Sequence, residues 1–133
     1  MNDLILYLFI GFMILYVLYS KGIILADFNF VSPQEATQTI INEENNVTIL
    51  DVRTVEEYKS LGHIQNAILI PVDKLESRLN ELTKYKDKKI LVYCASGNRS
   101  ISASRILHKN GFHTYNINGG ISSWENSGYT LIK

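Results

Sequence analysis

The sequence predicts an α/β domain built on a mostly parallel sheet and preceded by one membrane-spanning helix. Three observations lead there. Residues 4–20 carry no charge, and 15 of the 16 positions from Leu4 to Tyr19 are apolar. Short apolar, β-branched runs recur at residues 47–50, 67–70, 89–93 and 114–117. Helix-start signals and helical periodicity lie between those runs, and strands alternating with helices make a parallel sheet covered on both faces.

The N-terminal stretch reads as an anchor over residues 1–26. Seventeen helical residues reach only about 25 Å, against a hydrocarbon core of roughly 30 Å. Continuing through Ile23, Ile24 and Leu25 gives a span of residues 4–25, with Lys21 snorkelling its amine to the headgroups. Tyr16 and Tyr19 lie near that end, where amphipathic aromatics are favoured. A cleaved signal peptide would start with a basic region and end at a small-x-small site; here the start is Asn2-Asp3 and the end Tyr19-Ser20-Lys21. Lys21 after the span and Asp3 before it place the following domain in the cytoplasm by the positive-inside rule.

The soluble domain occupies residues 27–133. Ser32-Pro33-Gln34-Glu35 is a helix start, with Ser as N-cap, Pro in the first turn and Glu three residues on. Residues 47–50 form a buried strand. Thr54 and Glu57 repeat the capping pattern and open a short helix ending near Gly62. Residues 67–70 make a second strand, stopped by Pro71. Asp73 is expected to cap a helix on which Leu75, Leu79 and Leu82 recur. Residues 89–93 make a third strand. Residues 100–109 are helical and closed by Asn110-Gly111 as a left-handed cap. Residues 114–117 form a strand and residues 121–126 a last short helix.

Composition excludes several function classes. Thirteen basic and 13 acidic side chains give no net charge, which speaks against nucleic acid as a partner. One cysteine excludes an internal disulfide and any multi-cysteine metal site, and fits a compartment where thiols stay reduced.

That cysteine carries the chemistry. Cys94, Ala95, Ser96, Gly97, Asn98, Arg99 and Ser100 join a buried strand to a helix, at the strand end where active groups of parallel sheets collect. Successive backbone N–H groups in such a turn form an anion nest. The following helix presents its positive end, Arg99 adds a forked charge, and Gly97 supplies the backbone freedom. These effects favour thiolate over thiol at Cys94 and enrich the nucleophile. The bland alternative is a small buried hydrophobe.

Four segments together resemble a single-domain rhodanese, a thiosulfate:acceptor sulfurtransferase. They are Leu50-Asp51-Val52-Arg53 with Glu57-Tyr58; Gly62-His63-Ile64 through Ala67 and Ile70-Pro71; the loop of residues 94–100; and Gly111-Phe112 with Asn118-Gly119-Gly120 and Trp124. The resemblance implies a rhodanese-like five-stranded parallel sheet flanked by helices. It also implies a Cys94 thiolate that takes the outer sulfur of thiosulfate, releases sulfite and passes sulfur from a persulfide to cyanide or a thiol. The loop N–H groups and Arg99 would hold the anionic donor, with no metal or organic cofactor. Related phosphatases and arsenate reductases use Cys-x5-Arg, whereas this chain has Cys-x4-Arg, a smaller cradle suited to sulfur. A tethered sulfur-relay module receiving persulfide from one protein and delivering it to another is the alternative, because Ala95-Ser96 stand where some members carry a basic residue.

Other residues receive structural readings. Asp51, Arg53 and Glu57 are scaffold near the site, with Arg53 and Glu57 spaced for an i,i+4 ion pair. Asn66 stands where the family often has glycine and tolerates the left-handed region. His63, His108 and His113 lack ligand spacing, Trp124 reads as core, and Lys84, Lys86, Lys88 and Lys89 as a solvated turn.

Overall fold

The computed structural model describes residues 2–24 and 27–133. The predicted end of the span at Leu25 and the domain boundary at Ala26 lie outside them. The elements are α1 (Asn2–Ser20), β1 (Asn29–Val31), α2 (Pro33–Asn42), β2 (Val47–Asp51), α3 (Val55–Ser60), β3 (Ile68–Leu69), β4 (Lys89–Tyr93), α4 (Asn98–Lys109), β5 (His113–Ile117) and α5 (Gly120–Asn126). All strands pair in parallel, in the order β1-β5-β4-β2-β3.

Alternation along the strands divides the core. Ile90, Val92 and Cys94 face α4 together with Leu50, Val52, Ala103 and Leu107. Leu91 and Tyr93 face the opposite layer with Ile49, Ala36, Ile121 and Trp124. The two-residue period of β4 therefore aims Cys94 under α4.

Both capping boxes form. Ser32 Oγ accepts from Glu35 N–H and Thr54 Oγ1 from Glu57 N–H, while each glutamate reaches back to its cap. Asn66 adopts the left-handed region at φ 68°.

Four expectations change. The helix expected to act as an anchor begins at Asn2 and stops at Ser20, so Ile23 and Ile24 do not extend it. Gly22, at φ 71°, donates to Tyr19 O at 3.0 Å while Ile23 N–H donates to Leu18 O at 2.9 Å, the double closure of a Schellman turn. The 19 residues still span about 28 Å, and the helix is long and apolar enough to cross a membrane by length and composition. The second predicted strand shrinks to two residues at the sheet edge, although Ile70 N–H continues the pairing to Asp51 O. The helix expected after Asp73 is a series of 3₁₀ turns, Val72–Lys74 and Glu76–Tyr85, broken at Arg78 and without an Asp73 side-chain cap. Leu75 and Leu82 are buried from separate turns, so continuous helical periodicity is not needed. Finally, β1 adds a strand where none is expected, because three residues beside a capping motif carry no readable period.

Candidate active site

Cys94 leaves the carboxyl end of the central strand β4 with 1% of its surface exposed. Gly97 N–H donates to Sγ at 3.1 Å, and the thiol donates to Ser100 Oγ at 3.4 Å. The Ser100 hydroxyl in turn donates to Gly97 O at 3.0 Å. This closed circuit depends on Gly97 at φ 113°, a conformation that a side chain would strain.

The loop is also held from behind by α5. Ile121 N–H donates to Cys94 O at 2.9 Å, and Ser122 donates to Ala95 O from its N–H at 3.1 Å and its hydroxyl at 3.0 Å. Because trans peptide planes oppose C=O and N–H, these bonds aim the N–H groups of Ala95 and Ser96 away from α5. A Cβ on Gly120 would lie 2.4 Å from Cys94 O, so this close approach requires glycine. Sequence reasoning placed Gly119-Gly120 in a motif but missed its contact with the loop; the paired glycines were the available signal.

Ser96 and Asn98 are exposed, and Ala95 is half-buried. Arg99 meets Glu57 in a two-point ion pair, Nη1 to Oε1 at 2.7 Å and Nη2 to Oε2 at 2.8 Å. The Arg99 hydrogen bond holds the Glu57 carboxyl far below its ordinary 4.5, at about 2, against the opposing effect of partial burial. Thr54 assists through its backbone N–H.

The expected ion pair between Arg53 and Glu57 does not form. Arg53 turns to Asp51 instead: Nη2 reaches Oδ2 at 2.7 Å and Gly62 O at 2.7 Å, and Nε lies 3.0 Å from Oδ1. Both residues are buried, at 1% and 0% exposure. Burial opposes the Arg53 charge, but the hydrogen bond and charge of Asp51 hold it above its ordinary range. Close by, burial pushes the Tyr93 phenol upward, with Asp51 adding to the effect. Its oxygen accepts from Ile64 N–H at 3.1 Å. The Asp51–Arg53 pair thus clasps the end of β2 to the Gly62–Ile64 turn.

His63 stacks on Tyr58, with ring centroids 3.7 Å apart, and its backbone exchanges two hydrogen bonds with Ile132. Among the described residues, no three His, Cys, Asp or Glu side chains converge as metal ligands.

Comparison with known proteins gives a family. Residues 32–127 match the model of the rhodanese-like domain. The chain is 33% identical over 118 residues to the uncharacterized protein YqhL of Bacillus subtilis, covering 84% of this chain and 91% of that protein. It is 30% identical over 105 residues to a sulfurtransferase of Allochromatium vinosum, covering 78% of this chain and 94% of that one. A rhodanese-related protein from Thermoplasma volcanium superposes with a TM-score of 0.71 at 33% identity, covering 79% of this chain and 98% of that one. Other relatives are longer: the chain spans 48%, 20% and 24% of three of them.

Proposed function

The chain belongs to the rhodanese-like family, and from that premise we propose that it is a membrane-anchored sulfurtransferase using Cys94 as its sulfur carrier. The observation that carries this reading is the Cys94 sulfur, seated at the end of β4 and receiving the Gly97 N–H. A thiolate there attacks the outer sulfur of thiosulfate. The new S–S bond forms as the old one breaks, and its electron pair leaves with sulfite. The Cys94 persulfide then gives its terminal sulfur to cyanide or a thiolate acceptor, which restores the thiolate. Two displacements through a covalent intermediate predict ping-pong kinetics.

The loop residues divide the work. Gly97 N–H stabilises negative charge on Sγ. The Ser100 hydroxyl turns from Gly97 O to Sγ when the thiol ionises, and Ala95 and Ser96 present N–H groups to the donor. The apolar, exposed α1 supports anchoring in the bilayer, with Lys21 on the cytoplasmic side. A second reading, a relay between protein partners with slow thiosulfate turnover, is supported by the Arg99–Glu57 pair. That pair occupies the loop's single cation, so a free dianion meets little attraction.

The test uses the full chain in detergent micelles, with Cys94→Ser as control. Incubation with thiosulfate adds one sulfur atom to the intact mass, and cyanide removes it as thiocyanate. No sulfur gain with any small donor would reject the enzyme reading. Loading only from a protein persulfide would establish the relay.

A further inference from the structure

Resting on the sulfur-transfer reading, we propose that the end of the anchor helix walls the approach to Cys94 and that Lys21 binds the anionic group of the sulfur donor. An open cleft of about 360 Å³ lies between Ser20 and Lys21 on one side and Asn98, Arg99 and Ser102 on the other. Asn98 and Arg99 open α4 directly after Gly97, whose N–H donates to Cys94 Sγ, so the cleft adjoins the ground a donor must cross.

Lys21 is held there rather than tethered loosely. Gly22 is buried against α4 and β1; a Cβ on it would lie 2.8 Å from the Phe30 ring and 3.4 Å from Ile101 Cδ1. Arg105 of α4 donates to Tyr19 O, and its guanidinium sits 3.8 Å above the Tyr19 ring. It also donates to Ile24 O at 3.4 Å. Together with the Schellman turn, these contacts fix residues 19–24 along one side of α4.

Charge makes the position consequential. Among residues 94–100 the single cation is Arg99, and Glu57 holds it. Lys21 is exposed and makes no ion pair among the described residues. It therefore supplies unneutralised positive charge beside a loop that otherwise offers little to a dianion. Asp27 lines the neighbouring cleft with Arg105 and Lys109, which outnumber it. The ligand class is a small oxyanion bearing a sulfane sulfur, arriving at the level where the anchor leaves the bilayer.

The test uses the full chain in phosphatidylcholine nanodiscs, comparing wild type, Lys21→Gln and Lys21→Arg. Two probes are applied: the thiosulfate KM for sulfur loading, and Cys94 alkylation by anionic iodoacetate against neutral iodoacetamide. Lys21→Gln is expected to raise KM and slow iodoacetate by about fivefold, the Coulomb effect of one charge at contact distance in water. Iodoacetamide should react unchanged, and Lys21→Arg should restore both values. Added salt should erase the difference. An iodoacetate-to-iodoacetamide ratio unaffected by Lys21→Gln overturns the proposal while leaving sulfur transfer intact. A shifted ratio without loading from any sulfur donor rejects the sulfur-transfer reading but keeps Lys21 as an anion site. A Cys94 that neither alkylates nor loads sulfur rejects both.

Discussion

The Glu57 carboxylate holds the Arg99 guanidinium at two points, with bonds of 2.7 and 2.8 Å that join residues 42 positions apart. This pair ties the first turn of α4 to the first turn of α3, and it decides how much charge stands beside Cys94. Glu57→Gln releases the guanidinium while keeping the cap's shape. The expected result is a thiosulfate KM lower by about fivefold, measured by thiocyanate formation. A KM that rises would mean that Glu57 is needed to place Arg99 for binding.

The same pair sets an acid limit on stability. Glu57 sits at about 2 in the folded protein against an ordinary 4.5. A carboxyl depressed by folding stabilises the native state fully above its unfolded value and loses that contribution as pH falls through its folded value. Wild type should therefore exceed Glu57→Gln in urea midpoint at pH 6, with the gap closing between about pH 4.5 and pH 2. A gap constant across that window would show that the pair contributes nothing through ionisation.

Ser100 closes the hydrogen-bond circuit around Sγ. Ser100→Ala leaves the Gly97 carbonyl short of one donor, a cost of about 1 kcal/mol. It also removes the hydroxyl that would turn to the ionised sulfur. Sulfur loading should slow by roughly tenfold, equivalent to about 1.4 kcal/mol in the barrier. Stopped-flow sulfite release checks this, and an unchanged rate would assign Ser100 to packing alone.

Gly120→Ala places a methyl group 2.4 Å from Cys94 O. The peptide of Cys94 must move, and the Ile121 and Ser122 donors lose their carbonyls. Destabilisation of about 2 kcal/mol should accompany a large loss of sulfur loading, read by urea unfolding and intact mass. Full activity in this variant would show that α5 does not set the loop geometry.

Arg53→Met leaves the Asp51 carboxylate buried at 0% exposure without its counter-ion. Stranding a buried charge costs about 3–5 kcal/mol, which should appear as a lower urea midpoint. Arg53→Lys should recover only part of it, because one ammonium cannot serve both Asp51 oxygens and Gly62 O as the guanidinium fork does.

Features that depend on neighbours in sequence were readable. Ser32 with Glu35, and Thr54 with Glu57, form their capping boxes because the bonding groups sit three residues apart. Gly111 closes α4 at φ 86° for the same local reason. The junction of β4 and α4 around Cys94 also falls where apolar run, glycine and polar residues indicated, with α4 starting at Asn98, two residues before the expected Ser100. Less was readable where short-range spacing offered two partners. Arg53 could face Glu57 four residues on or Asp51 two residues back, and burial at the end of β2 selected Asp51.

By itself the sequence determined the alternation of strands and helices, the apolar helix at the start, and a loop with one cysteine and one arginine. Those are consequences of periodicity, capping and residue chemistry, which act within a few positions. The tertiary structure alone decided that Glu57 holds Arg99, that α5 grips the carbonyls of Cys94 and Ala95, and that Lys21 stands beside the loop. Each joins residues from different elements, brought together only when the sheet orders its strands and α4 packs against both the core and the end of α1.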